Sequence, residues 1–288
     1  MSILYRVRHE TRFRYDAPVS QCQSEVRLTP RSLPWQTVLE SKIETTPAAA
    51  WFDSRKDYFG NNVSAFWIRE RHDRFSTVAT SRVRVEHRPA ITTAGMPWED
   101  AREALAEHAN PDTLQAFEFI FDSPFVAAAP ELAAYAHPSF TPGRPLLTAV
   151  EELSHRIHAE FTYRPASTSI HTPLLDTLRL KRGVCQDFSH VMIGALRSLG
   201  LAARYVSGYL RSGSDHLGGE ASHAWVGVFV PEVGWVDFDP TNDVRPDIDH
   251  VTIGWGRDYA DGTPMKGIAL GGGKQLGDVD VRVQRVDE

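Results

Sequence analysis

Only two cysteines, Cys22 and Cys185, occur among 288 residues, so no disulfide framework organises this chain. A single bridge across so much sequence does not fit a reducing compartment, and both are read as free thiols. No run reaches ~18 consecutive apolar residues, the length a membrane-spanning helix needs. The opening MSILYRVRHETRFRY is charged within its first six residues and has no secretory-leader pattern. The expected compartment is therefore the cytoplasm, with no membrane partner. A basic excess is missing too: the formal net charge of −6 gives no general attraction for nucleic acid. There is no G-x-S-x-G elbow to supply a serine nucleophile and no D-x-D-x-D-G calcium loop. Gly271-Gly272-Gly273-Lys274, followed by Gln275, has neither the spacing nor the hydroxyl of a phosphate loop and reads as a turn. No cofactor is expected.

What is present is an ordinary globular composition, 42% hydrophobic and 24% charged, in a pattern that changes along the chain. In residues 5–15 the bulkier Tyr5, Val7, His9, Thr11, Phe13 and Tyr15 alternate with Arg6, Arg8, Glu10, Arg12 and Arg14, the period of two of a half-buried strand. Val83 and Val85 repeat that pattern, and an antiparallel β-sandwich-like module is expected over residues 1–90. Residues 91–145 read as linker and helical segment. A Pro/Thr/Gly-rich break comes first, then a helix from Trp98 to Ala109 closed by Asn110-Pro111, then a proline-rich loop from Ala127 to Pro145. Residues 146–288 read as a catalytic core with C-terminal strands. Leu147, Val150, Leu153, Ile157 and Phe161 form one helical stripe, and Val279, Val281 and Val283 form an alternating strand. The fold class is α+β.

Cys185 stands directly after Gly183-Val184 and before an amphipathic run, Phe188, Met192, Ala195, Leu196 and Leu199, ended by Gly200 as a C′ residue. A thiol at a helix start meets unpaired backbone N–H groups and the positive end of the dipole. That environment favours the thiolate and makes reactivity a better account of the position than packing.

The hairpin HAWVGVFVPEVGWVDFDPT supplies candidate partners. Ala224, Val226, Val228 and Val230 share one face; His223, Trp225 and Phe229 share the other. On the returning strand Val236 and Phe238 oppose Trp235, Asp237 and Asp239. A turn centred on Glu232 and Val233 brings Asp239 nearer His223 than Asp237, so Asp239 is the expected orienting carboxylate. Nearby alternatives are weaker. His190 lies about 140° around the helix from Cys185 and reads as an ordinary helix residue. Asp187 reads as a dipole partner, His155 and His158 as a solvated helix face and not a metal pair, and residues 257–264 as a structured loop after the hairpin.

RGVCQDFSHVMIGALRSLGLAARYVSGYL, SHAWV and GWVDFDPTND, in that order, resemble the core of the transglutaminase-like superfamily. YRVRHETRFRYDAPVSQCQSEVRLTPRS is similar to the β module that precedes this core in bacterial members. The resemblance implies a papain-like fold with a Cys-His-Asp triad: Cys185 as nucleophile, His223 as general base and acid, Asp239 as orienting group. The Cys185 N–H is then one oxyanion donor and Tyr163 a candidate second. The implied chemistry is acyl transfer through a thioester. The partners are a peptide or protein substrate carrying a glutamine or peptide amide, and water or a primary amine as acceptor. An arylamine N-acetyltransferase-like acyl carrier and a non-catalytic peptide scaffold are the competing readings.

Overall fold

The computed structural model describes residues 2–91, 95–107, 109–213, 216–219 and 221–287. Parts of the expected linker (92–94), the end of the first expected helix (108) and parts of the loop before His223 (214, 215 and 220) lie outside the described residues.

Five strands come first: β1 (Ser2–Val26), β2 (Gln36–Thr46), β3 (Trp51–Lys56), β4 (Asn62–Ile68) and β5 (His72–Glu86). The alternation in β1 holds, with Tyr5, Val7, His9 and Thr11 buried and Arg6, Arg12 and Arg14 exposed. β1 is long enough to serve two sets of neighbours. Its first half pairs with β5, and past an irregularity between Arg14 and Val19 its second half pairs with β4.

The middle of the chain is more helical than expected: α1 (Trp98–Ala106), α2 (Pro111–Phe117), a 3-10 turn at Glu118–Ile120, α3 (Pro130–Ala136) and α4 (Leu146–Glu160). Asn110-Pro111 does not merely close α1; it opens α2. The Asn110 side chain accepts the Thr113 N–H at 2.9 Å, with Pro111 at the first helical position, where its missing N–H costs nothing. Pro130 likewise starts α3 inside the expected loop, and Leu132 and Ala136 bury its inner face.

Two-residue strands β6 (Thr162–Tyr163) and β7 (Arg182–Gly183) pair in parallel around α5 (Leu174–Leu180). Then follow α6 (Cys185–Arg197), β8 (Ala203–Leu210), β9 (His223–Val230), β10 (Gly234–Phe238), β11 (His250–Gly256), α7 (Tyr259–Gly262), β12 (Met265–Gly271) and β13 (Gln275–Arg285). The second sheet has the order β10-β9-β8-β11. Its Ala224, Val226, Val228, Val236 and Phe238 join Phe188, Met192, Ala195 and Leu196 of α6 in the main core.

The C-terminal strands do not belong to that sheet. Both β12 and β13 pair antiparallel with β1, so the division that gave them to residues 146–288 is corrected. Alternation identifies a strand but not its partner, and the unpaired edges of β1 are what these strands cover. Val281 and Val283 join Tyr5, Val7, Val83 and Val85 against Tyr209, Val251 and Ile253 of the second sheet. The first sheet thus covers part of the second, and Gln36 Nε2 ties them by donating to the Thr252 carbonyl at 2.7 Å.

Ending the chain after Pro264 is expected to lower the thermal unfolding midpoint by roughly 5 °C or more, because it strips two strands and buried valines from β1. An unchanged midpoint in calorimetry would contradict this role for β12 and β13.

Candidate active site

The start of α6 is built around Asp187. Its Oδ2 accepts the Val184 N–H at 2.8 Å and the Thr168 hydroxyl at 2.7 Å. Burial pushes this carboxyl up, and the two hydrogen bonds only partly offset the rise. A Cβ at Gly183 would collide with the Asp187 carboxylate, so the turn into the helix requires glycine. Cys185 is the first residue of α6 and is 8% exposed. The far end closes as expected: Gly200 has φ +77°, and its N–H and that of Leu201 return to the Arg197 and Leu196 carbonyls at 2.9 and 3.1 Å.

The hairpin pairs Gly234 with Val230 and Phe238 with Val226, a register that sets Asp239 level with Trp225, nearer His223 than Asp237, which pairs with Gly227. His223 Nε2 lies 2.8 Å from Asp239 Oδ2, with both side chains wholly buried. Oδ1 accepts the Thr241 and Asn242 N–H groups at 2.9 and 3.3 Å, and Oδ2 also accepts from Asn242 Nδ2 at 2.8 Å. Nδ1 of His223 has no hydrogen-bond partner among the described residues, and the Cys185 thiol is close enough to act on the ring. Parity alone does not explain this meeting, because α6 packs on the valine face and His223 belongs to the other. Each is the first residue of its element, which brings the thiol near enough to act on the imidazole.

The electrostatics follow. Burial by itself would lower the His223 imidazole, yet the charge of Asp239, then that at Cys185 and the hydrogen bond to Asp239, carry it up to about 10. Burial would likewise raise Asp239, but the His223 charge and its hydrogen bond, then His250, hold it far below the usual carboxylate range.

The model of the bacterial transglutaminase-like N-terminal region matches residues 5–84, and that of the transglutaminase-like superfamily matches residues 133–240. An uncharacterised protein of Mycobacterium tuberculosis is 39% identical over 277 residues, covering 92% of this chain and 87% of its own. The chain belongs to the transglutaminase-like superfamily. A Cytophaga hutchinsonii structure, named as a candidate cysteine protease, superposes with a TM-score of 0.79 at 20% identity, covering 100% of this chain and 92% of that one. The protein-glutamine gamma-glutamyltransferase of Pseudomonas aeruginosa is 32% identical over 96 residues, 30% of this chain and 14% of its own.

Other residues of this transglutaminase-like core fall into place around the pair. Asp237 is held elsewhere, by Arg88 Nη1 at 2.6 Å and Trp225 Nε1 at 3.0 Å. Tyr163, on β6, packs edge-on to Phe188. His190 is buried and accepts the Tyr259 N–H through Nε2 at 3.2 Å; burial lowers its imidazole to about 4, so it packs as a neutral ring. His155 pairs with Asp243 at 2.7 Å, and His158 Nδ1 lies 2.9 Å from the Thr241 carbonyl, which pins the loop that presents Asp239.

Three further groups lie beside the pair. His250 Nε2 approaches Asp239 Oδ2 at 3.4 Å, and the charge at Cys185 acts on both Tyr205 and Tyr259, whose hydroxyls burial already raises. No motif marks them. His250 opens β11 and reaches Asp239 through the sheet, whereas Tyr259 opens α7 within residues 257–264. A groove of about 940 Å³ lined by Trp51, Trp67 and Ile268 lies on the first sheet and contains none of these residues.

A raised histidine stabilises the fold fully below its unfolded value near 6.5 and loses that contribution as pH rises through its folded value. The denaturant midpoint should therefore fall between pH 6.5 and about 10. Asp239→Asn should flatten that window specifically. Equal slopes in the two proteins would contradict the pairing.

Proposed function

We propose that this chain is a cysteine-dependent acyl-transfer enzyme that cleaves amide bonds of peptide or protein substrates through a thioester on Cys185. The observation that carries the reading is the buried His223–Asp239 pair, 2.8 Å from Nε2 to Oδ2, whose ring also feels the Cys185 thiol. A thiol, a base and an orienting carboxylate in that order form the nucleophile set of this chemistry.

In the acylation step the Cys185 sulfur attacks the amide carbonyl and a C–S bond forms. His223 holds the proton on Nδ1 and delivers it to the leaving nitrogen as the C–N bond breaks. Asp239 keeps the ring oriented and supports its charge. Water or a primary amine then attacks the thioester, returning the thiol and giving an acid or a new amide. The Cys185 N–H, unpaired at a helix start, suits the developing oxyanion, with Tyr163 proposed as a second donor. The names of the similar proteins span both outcomes, a glutamyl transferase and a candidate cysteine protease. Two free thiols suit a reducing cytoplasmic setting.

Intact-mass analysis of the protein with a glutamine-containing peptide library and a primary amine, beside Cys185→Ala, tests the reading. Amine-bearing peptides indicate transfer, and cleaved or deamidated peptides indicate hydrolysis; no Cys185-dependent product would count against the proposal. With a reacting peptide in hand, Asp239→Asn is expected to lower kcat by about 10³-fold, whereas Asp237→Asn acts mainly on stability. The reverse ranking would transfer the orienting role to Asp237.

A further inference from the structure

The Nδ1 edge of His223, which must serve the thiol, is approached by the chain just before β9. Gly218 has φ +87°, and a Cβ built on it would stand 2.9 Å from His223 Nδ1 and 3.4 Å from the Tyr163 hydroxyl. Main chain therefore occupies the space beside the reacting nitrogen, and only glycine suits both the conformation and the approach.

The Asn242 side chain fastens this segment. The Leu217 N–H donates to Asn242 Oδ1 at 2.7 Å, and Asn242 Nδ2 donates to the Leu217 carbonyl at 3.3 Å, so two amides pair face to face. The same Nδ2 donates to Asp239 Oδ2 at 2.8 Å. On the other flank the His216 ring lies 5.7 Å from His250, which itself faces Asp239. The Leu217 side chain is 44% exposed, so its burial does not hold the segment down.

We propose that Asn242 is a positioning residue that latches the Leu217–Gly218 segment across His223, and that a peptide-sized acyl donor must displace this segment to reach Cys185. The inference rests on the reading of Cys185 as the nucleophile. Hydrogen bonds between partly solvated amides are individually weak, so a substrate main-chain amide can exchange with that of Leu217 and take the same donor–acceptor pair on Asn242. Asn242 keeps its bond to Asp239 through the exchange. The gate discriminates by size and by the presence of a peptide amide, while small electrophiles pass.

The test is the rate of Cys185 labelling in the full chain, followed by intact mass in a Cys22→Ala background, with iodoacetamide and with a chloroacetyl peptide. Leu217→Pro removes the donated N–H and leaves the Asn242–Asp239 bond in place. This variant should react about tenfold faster with the peptide reagent while its iodoacetamide rate stays within about twofold. Asn242→Ala should raise the ratio of peptide to iodoacetamide rates in the same direction. A wild-type peptide rate in Leu217→Pro, or equal acceleration with both reagents, overturns the latch. If Cys185 of the unsubstituted chain ignores iodoacetamide, the nucleophile reading itself fails and the latch with it.

Discussion

The structure is organised around a buried ion pair. His223 and Asp239 are both removed from water, and removing two charges from water costs several kcal/mol per ion unless each remaining lone pair and proton is matched. Asp239 meets that condition with two backbone N–H groups, an asparagine amide and two imidazoles. Two of these donors are supported in turn: His158 holds the Thr241 carbonyl, and Trp225, its indole fixed by Asp237, packs edge-on to His250 at 5.3 Å. Asp237 thus serves the site indirectly, through a ring, although it is two residues from the carboxylate that faces His223.

Keeping that pair dry requires cover on both faces of the sheet that carries it. The helices seal one side with α6, which also delivers Cys185. The first sheet seals much of the other, through Tyr5, Val7, Val83 and Val85 against Tyr209, Val251 and Ile253. Arg31 and Arg204 stack on opposite sides of this junction against Trp255, at 3.5 and 3.9 Å from its ring centroid. The N-terminal strands are therefore packed into the sheet that carries the pair, and are not an appended module.

Local chemistry made the meeting of His223 with Asp239, and the place of Cys185 at a helix start, legible in the sequence. A glycine before a cysteine at a helix start, strict valine parity and a short turn each constrain one neighbour. The approach of Cys185 to His223 was less accessible, since parity assigns them to different faces and only the shared end of the sheet reunites them. His250 and Asn242 were invisible for a related reason: their partners are tertiary, and the spacing of residues 239–250 suggests no contact. The same ambiguity hid α2, because Asn-Pro ends one helix as readily as it caps the next. The strand signal in residues 279–283 was sound, but nothing in an alternating pattern names the strand it will join.

The proposed thiol chemistry depends most on the charge state of His223. The most direct measurement is nitrogen-resolved NMR of its ring at about pH 8, well above the ordinary histidine value. The account predicts an imidazolium with both ring nitrogens protonated, titrating only near pH 10. A neutral ring at that pH would mean that Asp239 does not hold the charge, and it would contradict the arrangement on which the thiol chemistry rests.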